Sequence, residues 1–266
     1  MSLIINTNTD ALIAQNNLQT TDTAMSSAMQ DLSSGLRINS AADDAAGYAI
    51  TEDLTGQVNG LNQATSNAQD GVSLVQTAQG TLNDVEQMLQ RIRELAVQAA
   101  NGTNSPADTS AIQSEVNQLS GEITQLGTNS QFNGISLFAA AAPVTFQVGA
   151  NDADTLVVTT QAMTALVSAS ITVNSAGALA SISGYIDNVS AAAANYGAVQ
   201  NTLGYAMDNL ATYSENLSAA QSNIQDVNMA SEETMFSKDQ VLEQAGVSML
   251  AQANQDPQMI LKLLGQ

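Results

Sequence analysis

The sequence predicts a mainly α-helical protein: a long antiparallel coiled-coil helical rod with a terminal helix pair and a small central β-hairpin insert. Residues 54–99 and 182–227 each place small or apolar side chains at alternating steps of three and four, which is the spacing of a coiled-coil seam. The chain turns over between these two stretches, so helices of similar length can pair antiparallel. Between them the apolar spacing changes to about two, which is typical of β-strands.

The composition favours thin helix-on-helix seams over a thick globular interior. Of the 266 residues, 44% are hydrophobic but only 3% are aromatic and none is Trp, so Ala, Leu, Val and Met must form the core. The chain has 25 acidic side chains against 5 Lys and Arg, a formal net charge of −20. Because phosphate groups are bound chiefly by Lys and Arg, we expect neither nucleic acid nor an anionic membrane surface as a partner.

The side chains available argue against catalysis. The sequence contains no Cys and no His, which excludes thiol and imidazole catalysis, the common zinc sites and a disulfide framework. A phosphate-binding Gly-x-x-x-x-Gly-Lys loop is also missing. We therefore predict no enzymatic activity, no cofactor and no metal.

The amino-terminal segment lacks both the basic region and the long apolar core of a secretory signal peptide. No stretch approaches the run of about 20 apolar residues that a membrane-spanning helix needs. We expect no membrane insertion, and export, if it occurs, without a cleaved signal peptide.

A first helix is predicted to end near Ser34-Gly35, because glycine readily adopts the left-handed conformation that terminates helices. Its apolar stripe consists of Ala11, Ala14, Leu18, Met25, Met29, Leu32 and Leu36. A polar connector follows. In it, Asp43-Asp44 is interpreted as a helix cap or turn rather than a pair of catalytic carboxylates, since no metal or base partner lies nearby in sequence.

The long helix then runs to a turn cluster at residues 101–106, and a shorter helix is predicted over about 108–126. The stripe of the long helix consists of Leu54, Val58, Leu61, Ala68, Val72, Val75, Ala78, Leu82, Val85, Leu89, Ile92, Ala96 and Ala99, with Thr65 as its one polar position.

A β-hairpin is predicted next. Val144, Phe146 and Val148 alternate with polar residues, and residues 156–160 are rich in β-branched side chains. The Asp152-x-Asp154 loop between them resembles a calcium loop only weakly, since it lacks the glycine and the distal glutamate, so we predict no metal there. Residues 161–178 are ambiguous, with a further strand at 169–173 as one option.

The partner helix carries an apolar stripe from Ile182 to Val227 that includes Tyr213 and Ala220. A last helix carries Phe236, Leu242, Ala245, Met249, Ala253, Ile260, Leu263 and Leu264, and Pro257 should kink it or end it near Asp256. We therefore expect a discontinuous inner domain, 1–44 with 229–266. The outer rod domain is 45–228, with its β-rich insert at about 132–175.

Several segments in both arms of the chain resemble bacterial flagellin, the subunit of the flagellar filament. On the amino-terminal side they are residues 5–8 (Ile-Asn-Thr-Asn), 32–47 (beginning Leu-Ser-Ser-Gly-Leu-Arg-Ile-Asn), 63–71, 89–98 and 132–134 (Phe-Asn-Gly). On the carboxyl-terminal side they are 197–201, 215–220, 244–246 (Gln-Ala-Gly) and 250–255, and within the insert only 146–151 matches. The large surface domains of longer flagellins are missing.

The resemblance implies a structural subunit that self-assembles into the extracellular bacterial flagellar filament for swimming motility. The alternative is a hook–filament junction protein or another minor long-helix component of the flagellar axis. Implied partners are further copies of the chain, an export chaperone at the C-terminal helix, the filament cap and hook-junction proteins, and the innate-immune flagellin receptor.

The resemblance also assigns site residues. In the family, the segment that matches Gln90, Arg91, Arg93, Glu94 and Leu95 is both an assembly surface and the site read by the receptor, with help from the residue that matches Glu115. The alternative interpretation is an intradomain salt bridge from these arginines to an acid on a neighbouring helix.

The terminal helices are expected to supply the filament core. A two-helix pair of mostly Leu, Met and Ala buries too little surface to repay its ordering entropy, so these helices should fold against neighbouring subunits. The core stripes predicted are Leu18, Met25, Met29, Leu32 and Leu36 with Leu242, Ala245, Met249, Ala253, Ile260 and Leu264.

Overall fold

The computed structural model describes residues 7–264, and the side chains of residues 7–255. Within that range the chain forms six α-helices and two antiparallel β-hairpins, which confirms the mainly α class. The helices are α1 Thr9–Ser34, α2 Ala45–Ala99, α3 Pro106–Asn129, α4 Met163–Leu166, α5 Ala178–Gln225 and α6 Met229–Leu264. The strands are β1 Gln131–Phe132, β2 Ile135–Ser136, β3 Pro143–Gln147 and β4 Thr155–Thr159.

The chain divides into two compact units. The terminal unit comprises Met1–Gly56 and Leu217–Gln266, and the central unit comprises Gln57–Asn216. The divisions fall inside α2 and α5, so each of these helices contributes to both units.

Helix α2 is a single helix of 55 residues, about 80 Å long at 1.5 Å per residue. Its amino terminus is capped by Asp44, whose Oδ1 accepts the N–H groups of Ala46 and Gly47 at 3.1 and 3.0 Å. The neighbouring Asp43 accepts N–H groups of the connector, and its hydrogen bond from the Ser40 backbone lowers the pKa of the Asp43 carboxyl. The interpretation of Asp43-Asp44 as a cap and a turn is confirmed.

In the central unit, α2 and α5 run antiparallel. A methyl group on Gly71 would lie 3.3 Å from Cδ1 of Leu203, and one on Gly197 would lie 3.6 Å from Nε2 of Gln79. Residue numbers therefore increase along α2 while those of the contacting residues on α5 decrease. None of the predicted stripe positions of α2 is exposed, and Leu82, Val85, Leu89 and Ile92 are fully buried.

The predicted stripe of α5 is wrong at two positions. Tyr213 and Ala220 are exposed, and Ser214 and Gln221 are half-buried in their place. Gln221 can occupy such a position because its amide donates to Thr55 Oγ1 at 3.0 Å within the terminal unit, so the buried polar group is satisfied.

Helix α3 begins with a capping box. Ser105 and Asp108 exchange hydrogen bonds, Pro106 follows the cap, and the bond from the Ser105 hydroxyl lowers the pKa of Asp108. The helix contributes Ile112, Val116 and Ile123 to the core of the central unit.

The strand considered at 169–173 is wrong. The structure has no strand there, because side chains of α3 take the backbone hydrogen bonds of the segment: Ser120 donates to the Ala169 carbonyl at 2.9 Å, and Gln113 bonds both the Ile171 carbonyl and the Val173 N–H. The side chains of Ile171 and Val173 are buried in the core. The ambiguous region instead contains the short helix α4.

The predicted hairpin is confirmed by β3 and β4, which pair Val144 with Val158 and Phe146 with Leu156. A second, smaller hairpin was not predicted as such. Its β1 and β2 strands are joined by Asn133 and Gly134, both with positive φ (47° and 79°), the Asn-Gly turn that suits the twist of a two-residue hairpin.

Two helix ends were predicted from residues that commonly terminate helices, Gly35 and Pro257. Helix α1 ends at Ser34 as predicted, with Gly35 in the left-handed conformation at φ 73°. Helix α6 does not end near Asp256: it continues past Pro257 to Leu264, so that alternative is wrong. The fixed φ of proline is close to the helical value, but a proline inside a helix removes one backbone hydrogen bond and crowds the carbonyl four residues earlier.

Two glycines of α3 provide a matched test of core packing. A methyl group on Gly127 would lie 2.6 Å from Cβ of Met163, whereas one on Gly121 would meet no atom within 4 Å. We expect Gly127→Ala to lower the free energy of unfolding by about 1–3 kcal/mol through overpacking. Gly121→Ala should raise it by about 0.4–1 kcal/mol by restricting the unfolded chain. Urea unfolding of both variants checks this, and equal effects would contradict the close contact of α3 with α4.

Candidate assembly surfaces

The terminal unit is built around the antiparallel pair of α1 and α6. The side chain of Asn8 joins their ends: its Oδ1 caps α1 by accepting the Ala11 N–H at 3.0 Å, and its Nδ2 donates to the Ala253 carbonyl at 2.8 Å. Further along, a methyl group on Gly246 would lie 2.9 Å from Cδ1 of Leu18, so the two backbones approach closely there.

The seam of this pair is small and partly polar. Its covered positions repeat at steps of three and four along each helix. On α1 they are Ala11, Ala14, Leu18, Thr21, Met25, Ala28 and Leu32, with Asp31 also half-buried beside Leu32, and on α6, up to residue 255, they are Glu232, Phe236, Asp239, Glu243, Gly246, Leu250 and Ala253. Three of these seven positions on α6 are carboxylates, and of all the positions named here Ala28 alone is buried.

Much of the apolar surface of the pair lies outside this seam. Among the described side chains of the two helices, the large apolar ones that are exposed are Leu12, Ile13, Met29, Met229, Met235, Val241, Leu242, Val247 and Met249. Of these, Ile13, Leu242 and Met249 line one groove, and exposed apolar side chains that are grouped in this way are typical of an interaction site.

A groove of about 680 Å³ lies along one side of the pair, and we call it the terminal groove. Its walls are Asp10, Ile13, Ala14, Asn17, Leu18, Thr20 and Thr21 of α1 and Leu242, Ala245, Gly246 and Met249 of α6. Leu242 is 46% exposed and Met249 is 64% exposed. The wall on α6 therefore presents apolar atoms to solvent at helical spacing.

The structure divides the predicted core stripes into several groups. Leu18, Met25, Leu32 and Ala253 lie at the seam, whereas Leu242, Ala245 and Met249 line the terminal groove outside it. Met29 is exposed and does not line the groove. Ile260 and Leu264 lie outside the residues whose side chains are described.

The inclusion of Leu36 in the stripe of α1 is wrong, because α1 has already ended. Leu36 instead forms a β-bridge with Asp226, and the Arg37 N–H and the Val227 N–H extend this pairing to the Gln225 and Gly35 carbonyls. Arg37 Nη2 also donates to the Ile224 carbonyl at 2.6 Å, placing a cation at the carboxyl terminus of α5.

Sequence reasoning missed Ile13 and Gly246 as parts of the groove. Ile13 lies beside Ala14 and so falls off the stripe, and its signal is the unbroken apolar run Leu12-Ile13. Gly246 has no side chain, so it does not count as an apolar position in the spacing pattern. Glycine within a helix nevertheless often indicates close packing of this kind.

A second surface lies on α2 and α3 in the central unit. Arg91 Nη2 lies 3.0 Å from Glu115 Oε1 on α3, and Arg91 Nη1 lies 3.1 Å from Glu94 Oε2 one turn along α2. Hydrogen bonds to Glu94 and Glu115 raise the pKa of the Arg91 guanidinium. All three side chains are well exposed, so solvent screens the pairs and their contribution to stability is small.

The rest of the predicted segment is placed as follows. Gln90 and Arg93 are exposed, and Gln90 donates to Glu86 at 3.3 Å. Leu95 is wrong as a surface residue: it is 2% exposed and packs in the core of the central unit. Its position, three residues after Ile92 and one before Ala96, is a continuation of the buried face of α2.

Comparison with known proteins decides the family. Residues 5–142 match the model of the bacterial flagellin N-terminal helical region, and residues 179–264 match that of the C-terminal helical region. The chain belongs to the bacterial flagellins. As a flagellin it is a structural protein, a subunit of the extracellular flagellar filament, which is a homopolymer.

Individual proteins that are similar to this chain are also flagellins. A flagellin of Halalkalibacterium halodurans is 44% identical over 271 residues, covering 98% of this chain and 100% of that protein. A flagellin of Salmonella muenchen is 51% identical over 156 residues, covering 59% of this chain and 31% of its own length. The full-length relative is itself a flagellin, so the alternative of a minor axial component is not favoured.

A solved structure described as a putative flagellar hook-associated protein from Vibrio parahaemolyticus shares the fold. It has a TM-score of 0.59 at 14% identity and covers 69% of this chain and 100% of its own. At that identity the likeness concerns the fold alone.

None of the helices within the described residues combines the length and hydrophobicity that crossing a membrane requires. In the same part of the chain, no three acidic side chains come together in a way that would hold a metal ion.

Proposed function

We propose that this flagellin polymerises by seating a helix of a second copy in the terminal groove. The observation that supports this is the division of apolar side chains in the α1–α6 pair: carboxylates occupy part of the seam, while Leu242 and Met249 stand in solvent beside it. Residues 1–44 and 229–266 would then form the inner domain of the filament, and residues 45–228 the outer one.

The magnitudes favour this arrangement. Ordering each residue of a helix costs about 1–2 kcal/mol of backbone entropy, and the seam of the pair has little buried apolar surface to offset it. Covering a large side chain such as Leu242 or Met249 contributes about 1.5–3 kcal/mol. A second copy seated in the groove covers several such side chains at once. This supports a single event in which the copies assemble and the terminal helices become ordered.

The groove is tested by Leu242→Ser, with Val241→Ser as its control. Both are apolar-to-polar changes at exposed positions of α6, but only Leu242 lines the groove. We expect Leu242→Ser to slow seeded elongation about tenfold or more, because each 1.4 kcal/mol of lost burial is tenfold in affinity. Val241→Ser should elongate near the parent rate, and circular dichroism verifies that both remain helical. An unimpaired Leu242→Ser would contradict the proposed contact.

Charge opposes the assembly that burial favours. Residues 94–237 contain twelve acidic side chains (Glu94, Asp108, Glu115, Glu122, Asp152, Asp154, Asp187, Asp208, Glu215, Asp226, Glu232 and Glu233) and no Lys or Arg. Packing identical copies side by side brings these like charges together. Dissolved salt shortens the reach of the repulsion from about 30 Å at 0.01 M to about 8 Å at physiological ionic strength.

We therefore expect seeded elongation to accelerate as NaCl rises from low to moderate concentration. Ammonium sulfate should act more steeply, because sulfate is excluded from protein surfaces and strengthens apolar burial. Light scattering at a fixed number of seeds measures the rate. If ion pairs of the five basic residues dominated the contacts instead, NaCl would slow elongation, and that result would refute the repulsion account.

We propose the exposed cluster of Gln90, Arg91, Arg93, Glu94 and Glu115 as a second assembly contact and as the surface read by the innate-immune flagellin receptor. Support comes from its geometry: Glu115 and Glu94 hold the Arg91 guanidinium in one orientation while leaving it exposed. Such an ordered arginine can bind a partner carboxylate with less loss of entropy.

Arg91→Ala and Glu115→Ala should therefore both weaken receptor activation and slow elongation, the second by releasing the arginine. Glu122→Ala removes an exposed carboxylate seven residues further along α3 and serves as the control. A cellular receptor assay and seeded elongation are the measurements. If Arg91→Ala matches the parent in both, the cluster has neither role.

The flagellin resemblance implies the remaining partners. We propose that an export chaperone covers the C-terminal helix before secretion, since an uncovered apolar groove promotes premature self-association. The filament cap and hook-junction proteins would contact the chain at the filament ends. The chaperone should bind Leu242→Ser more weakly than Val241→Ser.

A further inference from the structure

Methionine is concentrated on the exposed surface of the terminal helix pair. Met29, Met229, Met235 and Met249 are each between 47% and 64% exposed, with Met249 the most exposed of the four. A thioether is apolar and adaptable when covered, but in solvent it is open to two-electron oxidants.

Of these four, Met249 alone lines the terminal groove. It lies seven residues after Leu242, so the two side chains stand two turns apart on one face of α6, with Ala245 between them. Met29 is similarly exposed, at 49%, but on α1 and outside the groove. The chain thus contains a methionine at the proposed contact and a comparable one away from it.

We propose that Met249 is an oxidation site that switches the terminal groove between a docking and a non-docking state. A peroxide such as hydrogen peroxide transfers one oxygen atom to the Met249 sulfur: the O–O bond breaks, an S=O bond forms, and water leaves. The sulfur loses two electrons and the peroxide gains them. This inference rests on the proposed docking of a second copy in the groove.

The sulfoxide changes the groove in the direction that opposes assembly. It replaces an apolar sulfur by a polar group with a strong acceptor oxygen, and an acceptor covered by apolar atoms without a donor costs free energy. On α6 the groove neighbours of Met249 are Leu242, Ala245 and Gly246, which have no side-chain donor. On the α1 wall, the hydroxyls of Thr20 and Thr21 already donate to backbone carbonyls, which leaves the Asn17 amide as the side-chain donor of the described lining. Oxidised monomers are therefore excluded, while a copy already seated in the groove shields Met249 from oxidant.

The chemistry is also reversible. Methionine sulfoxide is reduced by two reductases, one for each epimer at sulfur, with a thiol reductant such as dithiothreitol as the electron donor. The sulfur gains two electrons, the dithiol becomes a disulfide, and the oxygen leaves as water. An exposed sulfoxide on an unassembled chain is accessible to both enzymes, so reduction should restore a monomer competent for assembly.

The test compares peroxide-treated monomers of the parent, Met249→Leu and Met29→Leu. Leucine keeps the volume and apolar character of methionine without the sulfur. We expect peroxide to slow seeded elongation about tenfold in the parent and in Met29→Leu, and by less than about twofold in Met249→Leu, since one covered apolar side chain is worth about a factor of ten or more in affinity. Treatment with both reductases should restore the parent rate, and Met249→Gln should be slow without oxidant.

Peptide mass mapping establishes that Met249 carries the added oxygen in the treated parent, and that it is protected in filaments given the same dose. If a parent oxidised at Met249 elongates at the untreated rate, or if Met249→Leu loses as much as the parent, the inference is overturned. The Leu242→Ser experiment separates failure of the oxidation site from failure of the proposed docking. If Leu242→Ser elongates slowly but oxidation of Met249 leaves the elongation rate unchanged, only the oxidation site is refuted. If Leu242→Ser elongates at the parent rate, the docking itself is refuted.

Discussion

The constraint on which the structure depends is that a single helix can bury only one stripe of its surface against one partner. In a chain with few aromatic residues, such a stripe consists of Ala, Val, Leu and Met, so a two-helix seam is thin. The central unit overcomes this by packing α3, α4 and the β3–β4 hairpin around α2 and α5, and residues such as Leu82, Val85 and Leu89 become fully buried. The α1–α6 pair has two helices only, and its covered positions are mostly half-buried.

The acidic composition strengthens this dependence on burial. Within the described residues, both ion pairs involve Arg91, and both are exposed. Local order comes instead from hydrogen bonds that uncharged or acidic side chains can make: Asp44 caps α2, Ser105 and Asp108 cap α3, and Asn8 caps α1. These bonds set where helices begin but add no attraction between copies. Attraction between copies therefore has to come from apolar surface, and it has to exceed the repulsion of like charges.

The spacing of apolar residues predicted the helices well where one face of a helix is buried and the other is exposed to solvent. The stripe of α2, the end of α1 at Gly35 and the β3–β4 hairpin all follow from residue spacing and turn chemistry. Periodicity failed where a face is apolar but uncovered. It assigned Leu242 and Met249 to the same stripe as Ala253, because spacing identifies an apolar face without showing whether anything in the same chain covers it.

Other features depend on three-dimensional contacts that spacing does not encode. Gln221 replaces Ala220 on the covered face because Thr55, distant in sequence, satisfies its amide. The 169–173 segment has the β-branched composition of a strand, but Gln113 and Ser120 supply its hydrogen bonds. Arg91 and Glu115 were grouped through the flagellin resemblance, and the turn at residues 101–105 brings their helices together.

If the α1–α6 pair lacks sufficient cover in the monomer and gains it from a second copy, amide hydrogen exchange should differ between the monomer and the filament. We expect fast exchange across α1 and α6 in the monomer and strong protection in the filament, while residues 82–92 of α2 are protected in both. Strong protection of α1 and α6 in the monomer, equal to that of residues 82–92, would contradict it.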